Sequence, residues 1–93
     1  MRVIASKALV DFAQVHRDAS IPIQVCRRIV EAGSFGNFSE LKRTLNTADK
    51  VGDHLVFDIA GNKYRLVAAV HFNRQMVFVR HVFTHKEYDL WKP

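Results

Sequence analysis

Cysteine is nearly missing from this 93-residue chain, in which Cys26 stands alone. A single thiol excludes an internal disulfide framework. Its place in an apolar helical pattern reads as a buried thiol, the usage of a cytoplasmic protein. No apolar run is long enough to span a bilayer. The start, MRVIASKALVDFAQ, has no long apolar core followed by a small-residue cleavage site, so no secretory signal is expected. Repeats, linkers and low-complexity segments are lacking too, which leaves a single domain, residues 1–93, with room for one modest core. Acidic residues are scarce: 9 Asp and Glu against 14 Lys and Arg give a formal net charge of +5. A basic surface favours polyanions, meaning RNA, DNA or an acidic protein, although a charge excess also serves plain solubility. What is present, 48% hydrophobic and 25% charged residues, is globular composition and not that of a disordered chain.

The pattern along the chain divides in two. RVIA, residues 2–5, reads as a short strand. Ser6 is placed to cap a helix over about residues 7–16, whose Leu9, Phe12, Ala13 and His16 fall on one face. Pro22 suits the first turn of a second helix, with Cys26, Ile29 and Val30 as its apolar stripe and Gly33 as its stop. Asn37 followed by Glu40 resembles a capping box and opens a short helix carrying Phe38, Leu41 and Leu45. From about residue 50 the segments HLVFDIA, KYRLVAAVHF and MVFVRHVFT have strand lengths and strand composition. Gly61-Asn62 separates the first two as a hairpin signal. The expected fold is α+β: an N-terminal strand and two to three helices packed on one face of a mainly antiparallel sheet of three to four strands.

Strand alternation sorts the faces. Tyr64, Leu66, Ala68, Val70 and Phe72 share one side and should meet the helices, as should Leu55, Phe57 and Ile59. Lys63, Arg65, Val67, Ala69 and His71 share the other. The last strand is apolar on both sides and should be central. If Val77, Val79 and Phe83 face the helices, Arg80 joins Arg65 and Lys63 on the open face, and His81 falls on the opposite side as a structural residue. Three cations on one sheet face repel one another unless an anion visits.

The stretch GNKYRLVAAVHFNRQMVFVRHVFTHKEYD, residues 61–89, resembles the HigB-type toxins of bacterial type II toxin–antitoxin systems, within the RelE/ParE superfamily. VIASKALVDFAQVHRDA is similar to the family's first strand and helix, and FSELKRTLNTADKVGDHLVFDIAGNKYRL to its middle, so the likeness covers nearly the whole chain. It implies the small α+β fold, cleavage of mRNA on translating ribosomes, and a HigA-type antitoxin with a helix-turn-helix domain, through which alone operator DNA would be met. It also implies that an arginine in each of two strands and a tyrosine near the C-terminus carry the activity; Arg65, Arg80 and Tyr88 match in type and order.

A metal-free ribonuclease must deprotonate a ribose 2′-OH, stabilise charge on the phosphoryl oxygens and help the 5′-oxygen leave. Arg65 and Arg80 suit the phosphate because a guanidinium donates in a planar fork, with Lys63 as a helper. An unperturbed histidine has a pKa of about 6.5, so the residue type at His85 suits taking or giving a proton near neutrality. Tyr88 exchanges protons or orients a nucleotide. No metal or cofactor is expected: His81 and His85 have zinc-like spacing, but one lies on a strand and no second ligand pair is at hand. Each residue also has a plainer account. Arg65 and Arg80 could be surface residues paired to Asp58 or Glu87, and Trp91 a plug for the C-terminal segment. His71 lies on the open face near the far end of its strand; His16 and His54 have no assigned role. Arg27, Arg28, Lys42 and Arg43 form adjacent basic pairs on helices. They are either solvated faces or contacts to ribosomal RNA.

Three functions compete. The first is an endoribonuclease toxin acting in the cytoplasm, away from membranes, on mRNA at the ribosome. The second is a gyrase-poisoning toxin of the same fold, which needs no proton-transfer pair. The third is a non-catalytic RNA-binding module, which the lack of an RRM-type aromatic motif and of a GxxG loop disfavours.

Overall fold

The computed structural model describes residues 1–4 and 6–92. In chain order the elements are β1 (Arg2–Ile4), α1 (Ser6–Val15), a 3-10 turn (Arg17–Ala19), α2 (Ser20–Ala32), α3 (Phe38–Thr44), β2 (Asp49–Val51), β3 (His54–Ile59), β4 (Tyr64–His71), a second 3-10 turn (Phe72–Arg74), β5 (Met76–Thr84) and α4 (His85–Leu90). The sheet has five strands in the order β1-β5-β4-β3-β2. β1 runs parallel to β5, and every other pairing is antiparallel. The fold is α+β as expected, with two additions. The strand β2 escaped the pattern because two of its three residues, Asp49 and Lys50, are charged; Gly52, at φ 59°, turns it into β3. The polar C-terminal run, given no element from the sequence, is helix α4. The expected last strand residue, Ala5, lies outside the described residues, and Ser6, expected as the cap, is the first residue of α1.

Local chemistry accounts for the helix ends. Asn37 accepts the Glu40 N–H at 3.0 Å, as a cap should. The Glu40 carboxylate takes the N–H of Gly36 rather than that of Asn37, so the reciprocal bond sits one residue early. Gly33 ends α2 with an extended backbone, not a left-handed one. Its necessity is steric: a Cβ there would run into the ring of Phe35.

The core lies between the helices and one sheet face. Leu9, Ile23, Cys26, Val30 and Leu41 from the helices pack with Leu55, Phe57, Ile59, Tyr64, Leu66, Ala68, Val77 and Val79 from the strands. The faces read from alternation in β3 and β4 are those observed. Burial pushes the Cys26 thiol up to about 11, so it stays protonated and inert at neutral pH. Among the described residues no helix is long and apolar enough to cross a membrane.

Candidate active site

The open face of the sheet is shaped by one irregularity. Ala68 pairs with Val79 and Val67 pairs with His81, so Arg80 is an extra residue with no partner on β4. A β-bulge of this kind bends a strand and re-aims side chains. It also switches the alternation. Before it, Val77 and Val79 face the core; after it, Val82 packs toward the core and His81 and Phe83 face away. This corrects two expectations. Phe83 does not face the helices, and His81 is not on the side opposite Arg80. The Arg80 guanidinium lies 5.5 Å from the Phe78 ring centroid, while His81 stacks on Phe83 at 4.9 Å. An arginine inside an otherwise apolar strand was the one hint of the bulge, and strict alternation overrode it.

α4 covers part of this face. Its start is fixed by a capping box in which Thr84 accepts the Glu87 N–H at 3.2 Å and donates its own N–H to Glu87 at 2.9 Å. The Thr84 backbone N–H, and then the Thr84 side chain, hold the Glu87 carboxyl below the usual carboxylate range. Two of the polar residues after β5 are thereby given to structure. The helix carries Tyr88 over the Arg65 guanidinium, 5.7 Å from ring centroid to Cζ. Trp91 follows at the helix end, stacked near Tyr88 at 6.1 Å, edge-on to His54 at 5.4 Å, and 6.0 Å from His81. Beneath this cover Val56 and Val67 are only 2% and 0% exposed, so the centre of the face is closed. Trp91 therefore packs the C-terminal segment onto the sheet, as expected. His54, unassigned from sequence, stands beside it; its alternation with Val56 and Asp58 was the available signal.

The four residues expected to be catalytic have unequal surroundings. Arg80 is exposed and makes no ion pair among the described residues. Arg65 is 11% exposed and ion-paired through Nε to Asp58 at 3.2 Å, its cross-strand neighbour. It also donates to the Tyr64 carbonyl and to Asn62. The surface-pair account is thus true of Arg65. Tyr88 is half-buried, and its phenol makes no hydrogen bond among the described residues. His85 is exposed and turns Nδ1 to the Asp89 carboxylate at 3.2 Å. That leaves Nε2 free. His85 and Tyr88, three apart on α4, are neighbours along one helix side.

Lys63 is not on the open face. It pairs with Asp18 on the helix side and lies over the Tyr64 ring at 6.0 Å. Parity counted back from Arg65 fails there because regular alternation ends at Tyr64. The hairpin before it, with Ala60 and Gly61 at φ 54° and 69°, redirects the chain. With Lys63 withdrawn and Arg65 neutralised by Asp58, the expected cluster of three repelling cations does not form. Arg27, Arg28, Lys42 and Arg43 sit on α2 and α3, across the sheet from this site. Arg27 pairs with Glu31 at 3.2 Å, and Lys42 lies 5.7 Å from the Phe38 ring. His71, exposed, meets Phe78 edge-on at 5.3 Å beyond Arg80.

The five-stranded mixed sheet with its helices makes a small α+β fold consistent with that of the RelE-like toxins. The chain belongs to the HigB family among them: the model of that family, described as the RelE-like toxic component of a toxin-antitoxin system, matches residues 19–91. The mRNA interferase toxin HigB of Escherichia coli K12 is 33% identical over 94 aligned positions, which cover 98% of this chain and 90% of that protein. The mRNA interferase HigB of Shigella flexneri has the same identity and coverage. Another mRNA interferase HigB, from Escherichia coli O6:H1, is 23% identical over 92 positions, 96% of this chain and 89% of its own length. A toxin of such a system has an antitoxin as its partner.

Proposed function

We propose that this HigB-family toxin is an endoribonuclease that cleaves mRNA on translating ribosomes. The observation that carries the reading is the placement of Tyr88 over Arg65 on the same sheet face that exposes Arg80. The relatives' activity, printed in their names, points the same way. In this reading the ribose 2′-oxygen attacks the adjacent phosphorus and the 5′-oxygen leaves, giving a 2′,3′-cyclic phosphate and a 5′-hydroxyl. Arg80 donates to the phosphoryl oxygens as their charge grows. Arg65, anchored by Asp58, orients Tyr88 and adds its positive charge. His85 and Tyr88 form the proton-transfer pair. Asp89 holds the imidazole so that Nε2 meets the substrate, as a carboxylate orients histidine in other proton-transferring sites. The antitoxin is of the HigA type, the setting is the cytoplasm, and Arg28 and Arg43 on the helical layer contact ribosomal RNA.

The test is incubation of the purified toxin with a defined mRNA, with and without translating ribosomes, with cleavage mapped by primer extension. Cuts that need translation and fade in Arg80→Ala and Tyr88→Phe support the reading. No cuts under either condition overturn it, and a topoisomerase assay then takes precedence.

A further inference from the structure

We propose that His81, Phe83 and Trp91 form a nucleobase-stacking subsite beside Arg80, a role that rests on the RNA-cleaving reading. The bulge places a guanidinium and an imidazole, consecutive in sequence, on the same face of β5. The imidazole of His81 lies nearly parallel to Phe83, with 13° between the planes, and Trp91 flanks both rings at 6.0 and 6.1 Å. His81 is exposed, and it makes no hydrogen bond and meets no carboxylate among the described residues. His81 is the cross-strand neighbour of the buried Val67, yet its ring stays exposed to solvent. The outer face of His81 is therefore a flat π surface without an occupant.

A base of single-stranded RNA fits that surface. Every base has a π face, and proteins that hold single strands pair aromatic platforms with cations that track the backbone. Here the cations flank the platform. Arg80 is adjacent to His81, and Arg65 is the cross-strand neighbour of Phe83. The phosphates on either side of a stacked base would meet guanidinium groups. Such a subsite binds bases with little choice among them, because stacking reads no hydrogen-bond pattern.

Trp91 is the single tryptophan of the chain, so its fluorescence reports directly on this face. The probe is a 2′-O-methyl hexanucleotide, which lacks the attacking hydroxyl and stays intact, and the matched abasic strand is its control. The base-containing strand should quench Trp91 and bind about tenfold more tightly than the abasic one. His81→Ala should abolish most of that difference, and His81→Phe should restore it. If His81 only packs the sheet, His81→Ala lowers the melting temperature and leaves the ratio of affinities unchanged, which overturns the subsite. Equal quenching by the abasic strand, or none by either, overturns it as well. mRNA cleavage by the same preparation separates the two readings. Cleavage without base-dependent quenching removes the subsite alone, whereas base-dependent quenching without cleavage keeps the subsite and removes the nuclease.

Discussion

Tyr64 and Arg65 are consecutive, yet they leave β4 on opposite sides and enter neighbourhoods built from the same residue types. On the helix side, Tyr64 meets Phe12 at 5.3 Å and His16 at 5.3 Å, and its phenol donates to Asp18 at 2.6 Å. Asp18 also takes Lys63, so the acid, the phenol and the cation close on one another. On the open side, Arg65 meets Tyr88, Trp91 and His81 follow, the phenol of Tyr88 and the Nε2 of His85 make no hydrogen bond, and the guanidinium of Arg80 makes no ion pair among the described residues. Both regions hold tyrosine, histidine and a cation. A satisfied polar network rigidifies a fold, while an unsatisfied one at a surface is available to a ligand. The two tyrosines should accordingly respond in opposite ways to mutation.

The largest effect should come from Arg80→Ala. The side chain is exposed and unpaired, so its loss leaves the melting temperature nearly unchanged. Loss of one donor to a developing oxyanion lowers cleavage by about 10²–10³-fold. Single-turnover cleavage beside a thermal melt checks both halves. A large drop in melting temperature would move Arg80 into the class of Tyr64. Arg65 should behave as an intermediate. Arg65→Ala strands the Asp58 carboxylate, which is 27% exposed, and removes the cation beneath Tyr88. A loss of about 1–3 kcal/mol in stability is expected together with a loss of activity. Asp58→Ala, Arg65→Ala and the double variant should show coupling in a denaturant series; additive changes would mean that the pair is idle.

The closed cluster should reveal itself through pH. The hydrogen bond from Lys63 and then that from Tyr64 hold the Asp18 carboxyl below its ordinary value. The folded state therefore favours the carboxylate. Its stabilisation is present above the unfolded pKa, about 3.9, and is lost as pH falls through the folded value. Asp18 raises Lys63 and Tyr64 above their ordinary values. Their contribution is present below the unfolded values, about 10.4 and 10, and disappears as pH rises through the folded ones. The melting temperature of the native protein should thus hold across the neutral range and fall at both ends. Asp18→Asn should flatten that profile and leave mRNA cleavage near wild type. If Asp18→Asn abolishes cleavage at unchanged stability, the two regions are not separate.

The helix side was legible because burial on one face enforces period-two alternation, and Leu55, Phe57, Ile59, Tyr64, Leu66 and Ala68 obey it. The open side was legible only in part. Arg80 and Tyr88 were singled out by their place in a long motif, and both stand on the open side. Lys63, His81 and Phe83 were assigned by counting parity through a hairpin and a bulge, where parity does not survive. The THKEYD run looked like chemistry throughout, yet Thr84 and Glu87 serve the backbone of α4 and release its neighbours to face the site. That division is itself testable. Thr84→Ala should cost about 1 kcal/mol and weaken cleavage only by fraying the helix that holds Tyr88. A cleavage loss as deep as that of Arg80→Ala would mean that the hydroxyl meets substrate.

The smallest effect is expected from the basic pairs on the helical layer, which extend the comparison beyond the sheet. Arg27 and Lys42 are engaged by Glu31 and Phe38, whereas Arg28 and Arg43 are exposed and have no ion pair among the described residues. An exposed cation touching a phosphate contributes mainly through release of counterions, so its loss acts on every sequence alike. Arg28→Glu and Arg43→Glu should each weaken ribosome association modestly and reduce the slope of log affinity against log salt by about 1. Binding of the 2′-O-methyl hexanucleotide by the variants should match wild type, because the reacting groups lie across the sheet. A variant that binds ribosomes with the native salt slope would show its arginine to be a solvated surface residue. The RNA-facing function of the molecule would then be confined to the face that Arg65 enters and Tyr64 turns away from.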